Sequence, residues 1–120
     1  MAENIALIGA GIMGQAIGTR LLACGHTVTV FDVDSTKIAQ LVSKGAAGAT
    51  SPSNATAQSD FVILSLNHAD IVGTAVFGTN GVALSGTAQK LLIDMSSIDP
   101  AATAAMAAQL RFQTGMAWVD

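Results

Sequence analysis

Three glycines constrain this chain more than any other feature. Gly9, Gly11 and Gly14 stand in the spacing Gly-x-Gly-x-x-Gly. They come after the apolar run Ile5-Ala6-Leu7-Ile8 and open a stretch, Met13 to Cys24, that reads as a helix. A short continuous apolar run fits a strand buried on both faces, as in parallel sheets. The order is therefore strand, tight turn, helix. In that setting each glycine has its own reason. The first makes the turn, the second lets backbone come close to a bound group, and the third lets helix and strand pack closely. Glycines also serve plain tight turns, so the spacing has to be weighed with the rest of the chain.

From the glycines onward, helices and strands alternate regularly. In the first helix Met13, Ile17, Leu21 and Cys24 share a face, and Gly25 is placed just past its end. Val28 to Phe31 is a β-branched strand. Ser35 to Lys44 reads as a helix with Ile38, Leu41 and Val42 inward, capped by Asp34 or Ser35 and stopped by Gly45. Ala47 to Thr50 is a weak strand, and Ser51-Pro52 starts a short helix running to about Gln58. Phe61 to Ser65 is the strongest strand, followed by a helix from Ala69 to Phe77 and a turn over Gly78 to Gly81. Lys90 to Asp94 is a fifth strand, Ala101 to Leu110 an Ala-rich helix, and Met116 to Val119 a sixth strand. Strands alternating with helices imply right-handed βαβ units. The expected fold is α/β: a Rossmann-type, doubly wound, mainly parallel six-stranded sheet with helices on both faces.

Composition narrows the classes. With 51% apolar and 11% charged residues the chain is not disordered. Its 120 residues suit one domain, residues 1–120, and leave no room for a separate catalytic domain of ordinary size. Arg20, Lys37, Lys44, Lys90 and Arg111 are scattered and the net charge is −3, which speaks against nucleic acid. The lone Cys24 excludes an internal disulfide and a Cys-based metal site, and its apolar setting predicts a buried, inert thiol. No metal site is expected. The first residues lack the basic segment of a signal peptide, and no window of about 20 residues is apolar enough to span a membrane. A cytoplasmic location is expected.

Asp32 stands at the end of the second strand, directly after Phe31, where an acid is required if the glycine loop holds a dinucleotide. Its carboxylate can accept hydrogen bonds from both hydroxyls of an adenosine ribose and would repel a 2′-phosphate. Val33 and Asp34 offer no arginine for such a phosphate. NAD is therefore expected over NADP. The backbone of Gly9, Ala10, Gly11, Ile12, Met13 and Gly14 would then face the pyrophosphate, with the free N–H groups near Ile12 and Met13 at a favourable helix start. The blander reading is that Asp32 ends a strand and Asp34 caps a helix. Leu66, Asn67 and His68 come after the fourth strand at the binding edge, where Asn67 could contact the nicotinamide-side ribose. His68 reads as a solvent-facing helix start, and His26 as a structural residue on the opposite edge. Ser96-Ser97 come after the fifth strand, where a hydroxyl could stand near the nicotinamide or only cap a local turn.

The run from Ile5 through Met13-Gly14, then Gly25-His26-Thr27-Val28-Thr29-Val30-Phe31-Asp32, resembles the β-hydroxyacid dehydrogenase family. So does Leu92-Ile93-Asp94-Met95-Ser96-Ser97-Ile98-Asp99-Pro100, a more specific match. That family includes 3-hydroxyisobutyrate, tartronate semialdehyde and 6-phosphogluconate enzymes. The resemblance implies that Gly9 to Gly14 hold the pyrophosphate, Asp32 the adenosine ribose, and Ser97 the nicotinamide end. Leu66 matches a cofactor-contacting Leu-Pro pair in which Asn67 replaces the proline. It implies reversible hydride transfer to a small 3-hydroxyacid in a full-length parent. In the family an Asp-x-Pro-Val-Ser-Gly-Gly segment and an all-helical catalytic and dimerisation domain come next. Asp120 would be the first residue of that segment, so no catalytic residue is assigned here.

Three alternatives stay open. One is an imine-reductase-like parent, which would share the Met-Gly loop but usually lacks the Asp-Met-Ser-Ser run. Another is a nucleotide-sensing or interaction module without redox chemistry. The third is self-association through an exposed edge strand carrying Met116, Trp118 and Val119.

Overall fold

The computed structural model describes residues 2–120. Six parallel strands form one sheet in the order β3-β2-β1-β4-β5-β6. The strands are β1 Asn4–Ile8, β2 Thr27–Phe31, β3 Ala47–Gly48, β4 Phe61–Leu64, β5 Leu91–Asp94 and β6 Ala117–Val119. The helices between them are α1 Ile12–Ala23, α2 Ser35–Val42, α3 Pro52–Ala57, α4 Ala69–Phe77, α5 Val82–Ser85 and α6 Pro100–Thr114. The expected doubly wound architecture is thus present, and every neighbouring pair is parallel.

The central strands show why the sheet is covered on both sides. Ile5 and Leu7 pair with Val28 and Val30 and point to the face under α1 and α2. Ala6 and Ile8 pair with Val62 and Leu64 and point the other way, toward Val72 and Val76 of α4 and Leu110 of α6. All these side chains are buried, each worth roughly 1.5–3 kcal/mol for a large aliphatic group. On the first face Gly18 lets α1 approach closely: a Cβ there would stand 3.0 Å from Leu41 and 3.1 Å from Leu7.

Helix ends show the expected chemistry in most places. Asp34 caps α2 by accepting from the Thr36 N–H at 3.0 Å. The Thr36 hydroxyl and N–H bonds hold the Asp34 carboxyl below its usual range. Ser51 caps α3 and Asp99 caps α6, each with proline at the first turn. Lys90 donates from Nζ to the Thr56 carbonyl at 2.9 Å and to the Ser59 carbonyl, so a cation closes the end of α3.

Several expectations need correction. β3 spans two residues rather than four, because the Thr50 N–H turns to the Asn54 side chain and the helix cap begins at Ser51. α5 adds a helix that the sequence does not announce; four residues carry no periodicity to read. α6 continues to Thr114, ending where Gly115 takes φ +80°. Cys24 is exposed, not buried, because it caps the end of α1 rather than extending its inward face. Met13 is likewise 56% exposed. Met116 is fully buried against α6, so the edge strand β6 exposes Val119 but not Met116. Among the described residues, no helix is long and apolar enough to cross a membrane.

Candidate functional site

The chain runs outward from β1 to β3 on one side and from β4 to β6 on the other, so the strand order reverses between β1 and β4. Ligands bind at the carboxyl ends of strands beside such a reversal. Two loops meet there: Gly9 to Gly11 after β1, and Ser65 to His68 after β4.

The three glycines divide into two kinds. Gly9 has φ +101°, donates its N–H to the Phe31 carbonyl at 2.9 Å, and packs against the second loop. A Cβ on it would overlap the Ser65 carbonyl oxygen and stand 2.8 Å from that carbonyl carbon. A Cβ on Gly14 would overlap the Gly9 carbonyl oxygen and stand 2.9 Å from its carbon. The protein's own packing therefore requires glycine at both places. Gly11 is different. Its φ of −71° suits any residue, and a Cβ there meets nothing within 4 Å. It is the N-cap of α1, with no side chain bonding the helix start. The first intrahelical bond runs from Gln15 N–H to the Gly11 carbonyl, which leaves the N–H groups of Ile12, Met13 and Gly14 without a carbonyl one turn back. Ile12 stands 95% exposed beside them.

Asp32 ties this loop to the end of β2. Its Oδ2 accepts from the Ala10 N–H and its Oδ1 from the Asp34 N–H, both at 2.8 Å. Asp32 thus has a structural role at the strand end. That role does not exhaust the group, since each carboxylate oxygen accepts more than one hydrogen bond. Gln15, which carries no motif signal in the sequence, donates from Nε2 to the carbonyls of Ala10 and Lys37 and braces the loop against α2. Ala10 and Gly14 are buried behind the loop.

The second loop is held from β5. The Ser65 N–H donates to the Ile8 carbonyl at 2.9 Å. The Leu66 N–H donates to Ser96 Oγ at 2.9 Å, and the Ser96 N–H donates to Asp94 Oδ1 at 2.8 Å. Asp94 is 4% exposed, and its Oδ2 has no partner among the described residues. Ser96 is therefore the serine that positions the loop. Ser97 is exposed and lines neither of the two cavities at this edge. Asn67 is exposed at the rim; His68 is an exposed N-cap of α4 whose side chain makes no cap bond. His26 accepts from the Glu3 N–H at 3.0 Å, a structural bond away from this edge.

The two cavities adjoin, sharing Gly9, Asp32, Val33, Leu66 and Ile71. One, of about 470 Å³, runs along the glycine loop past Gly11, Ile12, Met13 and Asn67, with Lys37 on its wall. The other, of about 500 Å³, lies between Phe31 with Asp32 and the α4 residues Asp70, Ile71, Thr74 and Ala75. Lys37, Asp70 and Thr74 belong to no sequence motif and enter the site only through packing. Among the described residues, no group of three or more His, Cys, Asp or Glu side chains could hold a metal ion.

Comparison with known proteins agrees with this geometry. Residues 4–120 match the family described as the NAD binding domain of 6-phosphogluconate dehydrogenase. The chain is 39% identical over 107 residues to 3-sulfolactaldehyde reductase of Escherichia coli (strain K12), covering 89% of this chain and 36% of that protein. Its structure is similar to a 3-hydroxyisobutyrate dehydrogenase of Mycobacterium tuberculosis with L-serine: TM-score 0.86, 29% identity, 98% of this chain and 39% of the other. It is also similar to an imine reductase of Myxococcus stipitatus in complex with NADP+, with TM-score 0.87, 26% identity, and coverage of 96% and 39%. The chain thus spans little more than a third of the length of these relatives. With the match running over nearly all of its residues, the chain belongs to the β-hydroxyacid dehydrogenase family, as an NAD-binding domain of that family.

Proposed function

We propose that this chain binds NAD across the β1/β4 edge, with the pyrophosphate against Gly9, Ala10, Gly11, Ile12, Met13 and Gly14. One observation carries the reading: Gly11 has ordinary φ and open space, so nothing in the protein itself demands glycine there. A group bound against the backbone would demand it. The free N–H groups of Ile12 and Met13 then meet the phosphate oxygens at the positive end of α1.

Asp32, beside Phe31, is the ribose acceptor in this reading, using the lone pairs that the Ala10 and Asp34 N–H groups leave free. That supports NAD over NADP. Leu66 and Asn67 flank the path toward the nicotinamide, and Ser97 lies beyond them. In a full-length parent the cofactor would exchange a hydride with a small 3-hydroxyacid, a reading supported by the similarity to a 3-hydroxyisobutyrate dehydrogenase. No residue of this chain is assigned as the acid–base group of that transfer, which has to stand within hydrogen-bond reach of the substrate oxygen.

A ligand that binds only the folded chain raises its stability, by about 2.7 kcal/mol at a hundredfold excess over Kd. For a domain of this size that is roughly 10 °C in Tm. Calorimetry with NAD at such an excess should show this rise; an unchanged Tm at millimolar NAD would count against the proposal.

A further inference from the structure

The second cavity, between the end of β2 and α4, bears on what the site selects, given the dinucleotide reading on which this inference rests. The cavity is about 500 Å³ and continuous with the glycine-loop groove through the five residues the two share. That volume lies in the range of small-molecule sites and leaves ample room for a flat ring such as a purine. Val33, Pro52, Ile71 and Ala75 give it apolar walls for a flat ring. Among the described residues its charged groups are two carboxylates, Asp32 and Asp70, with no lysine or arginine in the lining.

The two acids are not equivalent. Asp32 is bonded to the loop backbone at the ribose end. Asp70 sits in the first turn of α4, one turn before Thr74, as Ile71 sits one turn before Ala75. Residues four apart on a helix are neighbours, so α4 offers the cavity a polar row beside an apolar row. Neither the Asp70 carboxylate nor the Thr74 hydroxyl is hydrogen-bonded to another described residue.

We propose that Asp70 is a specificity-determining residue that selects a purine carrying a 6-amino group. An ionised carboxylate only accepts hydrogen bonds. The exocyclic amine of adenine donates; the 6-oxygen of hypoxanthine accepts and would confront Asp70 with a second acceptor. Thr74, whose hydroxyl donates or accepts, meets a ring nitrogen of either base and does not discriminate.

The test compares NADH with its hypoxanthine analogue, both followed by nicotinamide fluorescence, on the 120-residue chain and on Asp70→Asn. A charge-assisted bond at an open site is worth about tenfold in affinity. The wild-type chain should bind NADH about tenfold more tightly than the analogue. Asp70→Asn, whose amide offers either a donor or an acceptor, should bind the two within about twofold of each other. Equal binding of both by the wild type overturns the inference while leaving the dinucleotide reading intact. A preference unchanged in Asp70→Asn also overturns it, and leaves Asp70 as a carboxylate that merely favours its own helix dipole. Binding of neither cofactor by the wild type overturns the dinucleotide reading and this inference with it.

Discussion

Replacing Gly9 by alanine should lower the unfolding temperature by roughly 10–20 °C, the largest effect expected of any single substitution in the loop. Two costs combine. Alanine is strained at φ +101°, about 1–3 kcal/mol for a non-glycine residue held in a sparsely populated region. Its Cβ would also overlap the Ser65 carbonyl, which is backbone and lies in the peptide whose Leu66 N–H is tied to Ser96 Oγ. Overpacking of this kind costs about 1–3 kcal/mol more. A domain of this size has only about 5–15 kcal/mol in hand, so the variant would be marginal at 37 °C. Gly14→Ala should fall in the same direction through overlap with the Gly9 carbonyl. Thermal denaturation by circular dichroism reads both. A Gly9→Ala variant as stable as the wild type would mean that the two loops at the β1/β4 edge have room for a side chain between them.

Asp32→Ala should weaken NAD binding by about ten- to a hundredfold, because two charge-assisted hydrogen bonds to the ribose are lost. NADP should change by less than about threefold. Removing the carboxylate removes its repulsion of a 2′-phosphate, and Lys37 already lines the adjoining cavity as a cation. The substitution also strips the buried Ala10 N–H of its acceptor, so some loss common to both cofactors is expected. The informative quantity is therefore the ratio of the two affinities, measured by titration with each cofactor. Equal losses would remove Asp32 from the ribose role and leave it as a brace for the loop.

The legible part of this fold is the part set by strong local signals. β1 after Asn4 and β4 are apolar runs, β2 alternates threonine and valine up to Phe31, and the centre of each strand is buried on both faces. Gly9 and Asp32 lie 23 residues apart in sequence, and their two strand ends meet in the structure through one right-handed crossover. The hidden part depends on registers and ends. Ser96 and Ser97 are identical as letters, but the turn made by Asp94 Oδ1 and the Ser96 N–H puts only Ser96 under Leu66. Cys24 continues the apolar helix pattern yet lies in the cap. Met116 reads as part of an exposed edge and is instead buried under α6. Lys37, Asp70 and Thr74 line cavities that exist only once α2 and α4 have packed at the reversal of strand order. Helical periodicity separates inward from outward faces; it does not mark the flank that borders a groove.

If Gly11 is glycine for the sake of a bound pyrophosphate, a side chain there should cost binding and spare the fold. NADH fluorescence titration of the wild-type chain and of Gly11→Val should be run beside their thermal unfolding. The new side chain enters open space, so stability should stay within about 1 kcal/mol of the wild type. It would also fill the place of the phosphates, so the wild type should bind NADH saturably and the variant at least about tenfold more weakly. Equal NADH affinity in the two proteins, or no binding by the wild type at millimolar NADH, would contradict a pyrophosphate site at Gly11.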